Sequence, residues 1–350
     1  MGDWLLYGAN GYTGELLARM AAARGERPIL AGRNAAAIAG LGRELGLTTR
    51  AFPLDQPGAV AEGLKGVHTV LHCAGPFRVT ARPMFTACVA AKVNYLDITG
   101  EIEVFEHILG QRRACEAAGM TAIPGVGFDV VPTDCLAARL KRDLPDAIQL
   151  RLAFKTRGSH LSRGTARTMI AKIPEGGMVR RDGKLVRVPL GYGKRTIEFV
   201  AGGKQYTAIA IPWGDVSTAF HTTGIPNIEV YTAVPQAQIN LMRIFNPVRG
   251  LMGLKPVQHL LGRMIDRAPA GPDASARESG EVLLWGEAEN AAGRIVVRRF
   301  KTGEGYALTA HAALAATLRV HSGSVQPGAY TPALAFGPDF IDEFLTKGIS

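Results

Sequence analysis

Cysteine is scarce in this chain, with four in 350 residues. Cys73, Cys88, Cys115 and Cys135 make no C-x-x-C pair, and no Cys/His group has zinc spacing. No metal is therefore expected, and the thiols read as reduced and mostly buried. Long apolar runs are missing too: none reaches the roughly 18 residues of a membrane span. No basic stretch followed by an apolar run and a cleavage site opens the sequence, so the cytoplasm is the expected compartment. The basic stretches Lys172 to Arg195 and Arg243 to Arg267 lack both nucleic-acid motif spacing and interleaved aromatics, which argues against a nucleic-acid partner.

What is present describes a folded chain of two domains. Hydrophobic residues make up 47% and charged residues 20%, enough for a large core and against global disorder. The net charge is +10, from 40 Lys and Arg against 30 Asp and Glu, which suits an anionic ligand or surface. Up to about residue 145, short apolar strands alternate with amphipathic segments of helix length. The strands read Trp4 to Tyr7, Pro28 to Ala31, Thr49 to Phe52, Thr69 to His72, Asn94 to Asp97 and Met120 to Ile123. The helices read Gly14 to Arg24, Ala35 to Leu45, Pro57 to Leu64, Thr80 to Lys92 and Ile102 to Ala118. Strands joined through helices imply right-handed crossovers and a parallel sheet covered on both faces.

The expected fold is α/β: a Rossmann-type doubly wound parallel sheet over residues 1–145, then a mixed α+β domain over 146–324. Residues 325–350 are expected to return to the first domain. In the second domain Glu281 to Ala288 and Arg294 to Phe300 read as a hairpin around Asn290-Ala291-Ala292-Gly293. Pro269 to Gly280 reads as a loop, and Tyr306 to Leu318 and Pro338 to Thr346 as helices.

Gly8, Gly11 and Gly14 follow the first strand and open the first helix, within Gly8-Ala9-Asn10-Gly11-Tyr12-Thr13-Gly14. The first glycine permits a tight turn, the second a close approach to a pyrophosphate, and the third close packing of helix on strand. The helix start offers N–H groups and partial positive charge to phosphates. The loop, with Asn10, Tyr12 and Thr13 among its members, is the expected dinucleotide site. An acid commonly ends the second strand where the ribose is free. Here the residues are Ala31-Gly32-Arg33-Asn34, and Arg33 suits a 2′-phosphate, which points to NADP. Asp55 follows the third strand and is either an adenine-side contact or a turn aspartate. Ala74, Gly75, Pro76 and Phe77 after the fourth strand either pass close to the ribose and nicotinamide or form a plain turn.

These segments together resemble the saccharopine dehydrogenase-like oxidoreductases, nearest the branch that holds the trans-acting enoyl reductases. The resemblance also rests on Asn94 to Glu101, Gly127 to Cys135, Gly164-Thr165-Ala166, Gly305-Tyr306 and Thr331-Pro332-Ala333. It is dense to about residue 140 and thin between 170 and 300. It implies an NADP-dependent oxidoreductase, with the segments around Asp97 and Asp129 facing the nicotinamide. It does not imply saccharopine as substrate.

Hydride transfer leaves the protein one proton to manage. The Tyr-x-x-x-Lys pair of many reductases is absent, because none of the eight tyrosines has lysine four positions on. The remaining candidates are Asp97, Thr99, Glu101 and Asp129. Glu101 and Asp129 each also read as helix-start carboxylates. The expected activity is transfer of a hydride from NADPH to an unsaturated acyl or lipid-like substrate. Two alternatives stay open: reduction of a C=N or C=O bond in an amino-acid-like substrate, and a non-catalytic NADP-binding scaffold or lipid-surface protein. A homo-oligomer, in its simplest form a dimer, is expected. Leu241 to Ile265, rich in Leu, Met, Arg and Lys, reads as an acyl-pocket lining, a peripheral membrane contact, a dimer interface or ordinary core.

Overall fold

The computed structural model describes residues 3–345. The first part runs β1 (Asp3–Tyr7), α1 (Tyr12–Ala23), β2 (Ile29–Gly32), α2 (Ala35–Leu45), β3 (Thr49–Ala51), α3 (Pro57–Gly63), β4 (Val67–His72), α4 (Phe77–Ala91), β5 (Asn94–Asp97), α5 (Ile102–Leu109), α6 (Arg112–Ala118) and β6 (Thr121–Ile123). Next come α7 (Val131–Asp143), β7 (Ala147–Arg157), α8 (Arg163–Lys172), β8 (Gly177–Arg181), β9 (Lys184–Val188), β10 (Arg195–Glu198), β11 (Gln205–Ala210), α9 (Asp215–Thr223) and β12 (Asn227–Ala233). The chain then forms α10 (Gln236–Phe245), a 3₁₀ stretch (Asn246–Gly253), α11 (Lys255–Arg267), α12 (Ala274–Ser279), β13 (Glu281–Asn290) and β14 (Ile295–Gly303). It ends with α13 (Gly305–His321), β15 (Gly328–Ala329), α14 (Pro332–Phe336) and a 3₁₀ turn (Phe340–Phe344).

The first sheet has the order β15-β6-β5-β4-β1-β2-β3, and every pair is parallel. Tyr7 pairs in register with Ala31 and His72, and His72 with Asp97, so the carboxyl ends of β2, β1, β4 and β5 fall in one row. Strands this short stay parallel because α4 covers one face with Ala81, Met84, Phe85 and Cys88, all buried against Leu5, Val70 and Tyr95. Each large apolar side chain buried there contributes about 2 kcal/mol. The reversal of strand order between β1 and β4 makes a crevice, the position where open α/β sheets hold ligands.

The second sheet is mixed, with the path β10-β11-β12-β7-β13-β14 and with β8 and β9 attached beside β12. Only β12 and β7 run parallel; the other pairs are antiparallel. Gly286 lets α7 lie close to this sheet, since a Cβ there would meet Leu140 at 2.7 Å and Leu136 at 3.0 Å. Packing thus groups α7 with the second sheet. The two compact units are Met1–Val131 with Tyr306–Gly337, and Pro132–Gly305 with Pro338–Ser350. The two units divide at Val131/Pro132, at the start of α7. Of residues 325–350, 328–329 form strand β15 beside β6, and the described residues from Pro338 on group with the second unit.

Several local expectations differ from the structure. The helix expected from Ile102 to Ala118 is two helices, because the chain turns at Gly110 and Gln111. The expected loop from Pro269 to Gly280 contains α12, whose start Asp273 caps through its carboxylate to the Ala276 amide at 2.8 Å. The sequence pattern gave no sign of β8 or α9. Of the helix expected over Pro338 to Thr346, Phe340–Phe344 form a 3₁₀ turn, and Thr346 lies outside the described residues.

Candidate functional site

The glycine loop is built by close backbone packing. The Gly8 and Ala9 amides donate to the Ala31 carbonyl at 2.7 and 3.1 Å, which fixes the loop to the end of β2. Gly8 has φ +83°, and a Cβ there would meet the Ala74 nitrogen at 2.7 Å. A Cβ on Gly14 would overlap the Gly8 carbonyl oxygen, so the third glycine seats α1 on the end of β1. The helix starts at Gly11 with no side-chain cap. Its first-turn amides therefore suit a phosphate group. Asn10 and Gly11 are exposed, and Tyr12 and Thr13 are half-buried.

Arg33 lies between β2 and α2, exposed, with no hydrogen bond or ion pair to another described residue. Asn34 caps α2, accepting the Ala37 amide at 3.1 Å. Tyr7, the last residue of β1, donates its hydroxyl to the Phe52 carbonyl at 2.8 Å. Burial pushes its pKa up to about 12, with Arg33 pulling it down and Asp55 pushing it up, so both charges lie near this hydroxyl. Asp55 is exposed.

After β4 the chain passes through Ala74, Gly75, Pro76 and Phe77 into α4. The Thr80 hydroxyl donates to the Ala74 carbonyl at 2.6 Å and lies 3.1 Å from His72 Nε2. With that proton committed to Ala74, the imidazole is the donor to Thr80, which assigns its Nε2–H tautomer. His72 is fully buried, in contact with the rings of Tyr7 and Phe77. Burial pulls its pKa down to about 3, so the ring is neutral near neutral pH.

Two of the three expected acid–base carboxylates turn inward. Asp97 has 0% exposure. It accepts from the Tyr95 hydroxyl at 2.7 Å, the Thr99 amide at 3.0 Å and the Gly125 amide at 2.9 Å. Burial pushes its pKa up to about 6 against the pull of those three donors, with Glu101 adding to the rise. Glu101 is also buried, and its carboxylate accepts from the Phe77 amide at 2.9 Å and the Arg78 amide at 3.2 Å. It thus caps α4, which has no side-chain cap of its own, rather than α5, where it stands. The third, Asp129, is half-buried in the turn before α7. Its Oδ2 lies 2.6 Å from where a Cβ on Gly100 would stand, so Gly100 is glycine because the carboxylate fills that space.

These contacts link the loops after β1, β4, β5 and β6 in sequence: Gly8 on Ala74, Phe77 on Glu101, and Gly100 on Asp129. The first turn of α13 completes the series. Thr309 Oγ1 accepts the Phe128 amide at 2.9 Å, and Tyr306 meets Tyr12 edge-on with ring centroids 5.1 Å apart. Gly100, Tyr306 and Thr309 were not expected at this rim. In the last third of the chain, Gly305-Tyr306 and Thr331-Pro332-Ala333 carry the resemblance and residues 325–350 are expected to return to the first domain; Thr309 has no such sign.

The geometry fits a dinucleotide phosphate: a glycine cradle with no room for a side chain at Gly8 or Gly14, an uncapped helix start and an arginine with no partner among the described residues. Comparison with known proteins agrees. Residues 4–123 match the family model of the saccharopine dehydrogenase NADP binding domain. A trans-acting enoyl reductase of Mycobacterium tuberculosis is 30% identical over 148 residues, 40% of this chain and 35% of the relative. That match therefore spans about a third of the relative's own length. A putative trans-acting enoyl reductase of the same organism is 23% identical across 99% of this chain and 96% of its own. Among solved structures, saccharopine dehydrogenase (L-Glu forming) of Saccharomyces cerevisiae superposes with a TM-score of 0.71 at 12% identity, covering 99% of both chains. Homospermidine synthase of Legionella pneumophila, solved with NAD, gives 0.64 at 10% identity, covering 99% of this chain and 90% of its own. At these identities the two structures speak to fold alone.

Proposed function

We propose that this chain, a saccharopine dehydrogenase-like protein with an NADP-binding domain, is an NADPH-dependent reductase of a conjugated carbon–carbon double bond in an acyl or lipid-like substrate. The observation that carries the cofactor half is Arg33, exposed and unpaired at the end of β2, where an acid would select NAD. The substrate half is supported by the names of the two mycobacterial relatives, one of which aligns over almost the whole chain.

When bound, the cofactor supplies the hydride. The chain's own residues bind, orient and handle the proton. The amides of Tyr12 to Gly14 and the Arg33 guanidinium would hold the phosphates, with Asn10 and Asn34 beside them. Ala74 to Phe77, fastened by His72–Thr80 on one side and Glu101 on the other, would line the ribose and nicotinamide. Asp97 and Glu101 are positioning residues. Asp129, half-buried against Gly100 at the rim, is the carboxylate that takes part in proton transfer.

The test is NADPH oxidation with matched enoyl thioesters, imines and carbonyl compounds. Turnover confined to the enoyl series, with deuterium from labelled NADPH delivered to the β-carbon, is the expected result. Turnover of imines or carbonyls alone refutes the substrate class. Intact NADPH binding with silence across the panel refutes the enzymatic reading.

A further inference from the structure

Residues 236–267 invert the usual arrangement of a surface helix. Amphipathic helices turn their apolar stripe inward. On α10 the buried residue is Ile239, while Leu241, Ile244 and Phe245 are 56%, 71% and 52% exposed. At 3.6 residues per turn those three lie within about 100° of one another, on the side opposite Ile239. On α11 the buried residue is Ile265, and Leu260 and Met264, one turn apart, are 60% and 61% exposed. Leu251 and Leu254 on the connection are likewise more than half exposed.

The inner side of this segment is fastened by polar groups. Asn246 Nδ2 donates to the Leu190 carbonyl and its Oδ1 accepts the Leu190 amide, at 3.3 and 3.2 Å. Arg243 donates to the Gly191 carbonyl at 3.2 Å, and Gln258 to the Ile170 carbonyl at 3.3 Å. The polar atoms hold the segment down and the apolar side chains face away. Among the described residues the free cations beside them are Lys255, Arg263 and Arg267, against Asp266, which is itself paired to Arg167, while Arg243 and Arg249 are engaged by the Gly191 and Asn246 carbonyls.

We propose that residues 236–267 dock this protein on an anionic lipid bilayer, with the exposed apolar side chains in the acyl boundary and Lys255, Arg263 and Arg267 at the headgroups. Two properties of this segment support this occupant: exposed apolar side chains on both helices and their connection, and a surplus of exposed cations in the same segment. A second copy of the chain fits less well, since a two-fold interface brings the same patch against itself and faces cation with cation. Among the described residues no helix is long and apolar enough to cross a membrane, so the contact is peripheral. The proposal stands on this surface alone and is independent of the enoyl reading.

The experiment is co-sedimentation of the full chain with phosphatidylcholine vesicles, with and without phosphatidylglycerol. The expected result is sedimentation at low salt only where phosphatidylglycerol is present, weakening as salt shortens the electrostatic range. Ile244→Ser, Phe245→Ser and Leu260→Ser combined are expected to lower partitioning about tenfold or more. Lys255→Glu with Arg263→Glu is expected to lower it while leaving the apolar stripe intact. NADPH affinity, measured on every variant, is expected to be unchanged and reports that the fold is intact. Three results overturn the proposal: no sedimentation at low salt, equal binding to neutral vesicles, or undiminished binding by both variants. A wild-type dimer that the serine variant converts to monomer, with no vesicle binding, overturns it in favour of contact between copies.

Discussion

The two sheets use charged side chains in opposite ways. At the rim of the first, Asp97 and Glu101 accept from backbone amides two to 28 residues away. In the second, charged side chains pair with each other across strands: Arg151 with Glu287 and Glu289 at 2.6 and 2.8 Å, Arg195 with Glu287 at 3.1 Å, and Arg157 with Glu281 at 3.0 Å. Amide-bound carboxylates fix where a loop runs, which is what a cofactor cradle needs. Side-chain pairs fix strand neighbours and leave the loops unconstrained. The first arrangement builds a site from the backbone, and the second builds a scaffold.

Changes at the rim are therefore expected to cost more than changes in the scaffold. Gly14→Ala places a methyl group on the Gly8 carbonyl oxygen and forces α1 off β1. We expect a loss of about 3 kcal/mol in denaturant unfolding together with loss of NADPH binding. Unchanged binding would show that the loop yields more easily than its packing suggests.

The next effect sharpens the contrast through pH. Asp97 has its pKa raised from 3.8 to about 6 in the fold, so its contribution to stability is full below about 4 and is lost as pH rises through 6. His72 has its pKa lowered from 6.5 to about 3, so its contribution is present above 6.5 and is lost as pH falls toward 3. The two oppose each other between pH 4 and 6. Unfolding midpoints across that window are expected to fall more steeply on acidification in Asp97→Asn than in wild type, and less steeply in His72→Gln. Parallel profiles for all three proteins would break this account of the buried pair.

The smallest effect belongs to the scaffold. Glu287→Gln weakens the ties to Arg151 and Arg195 but leaves Glu289 on Arg151, so a cost of about 2 kcal/mol is expected in denaturant unfolding, with NADPH affinity unchanged. A loss of cofactor binding equal to that of Gly14→Ala would erase the distinction between the two regions.

The first sheet was legible because its strands are short apolar runs between helices, and its glycines are spaced by the chemistry they serve. The site was legible only as a set of strand ends. Sequence position put Asp97 and Glu101 at the rim, but the direction of a side chain depends on tertiary partners: Glu101 reaches back to Phe77 and Arg78, and Asp97 turns inward to Gly125. Thr309 meets Phe128 across 181 positions, beyond any local pattern. Helix α9 was missed for a different reason. Val216, Thr218, Thr222 and Thr223 favour extended chain, and burial of Asp215 to Ala219 overrides that preference.

The NADP assignment turns on Arg33, and calorimetry of Arg33→Asp with both cofactors tests it most directly. The account predicts a loss of about a hundredfold in NADPH affinity, from one charge-assisted pair removed and one repulsion added, with NADH affinity nearly unchanged. Equal losses for NADPH and NADH would contradict it.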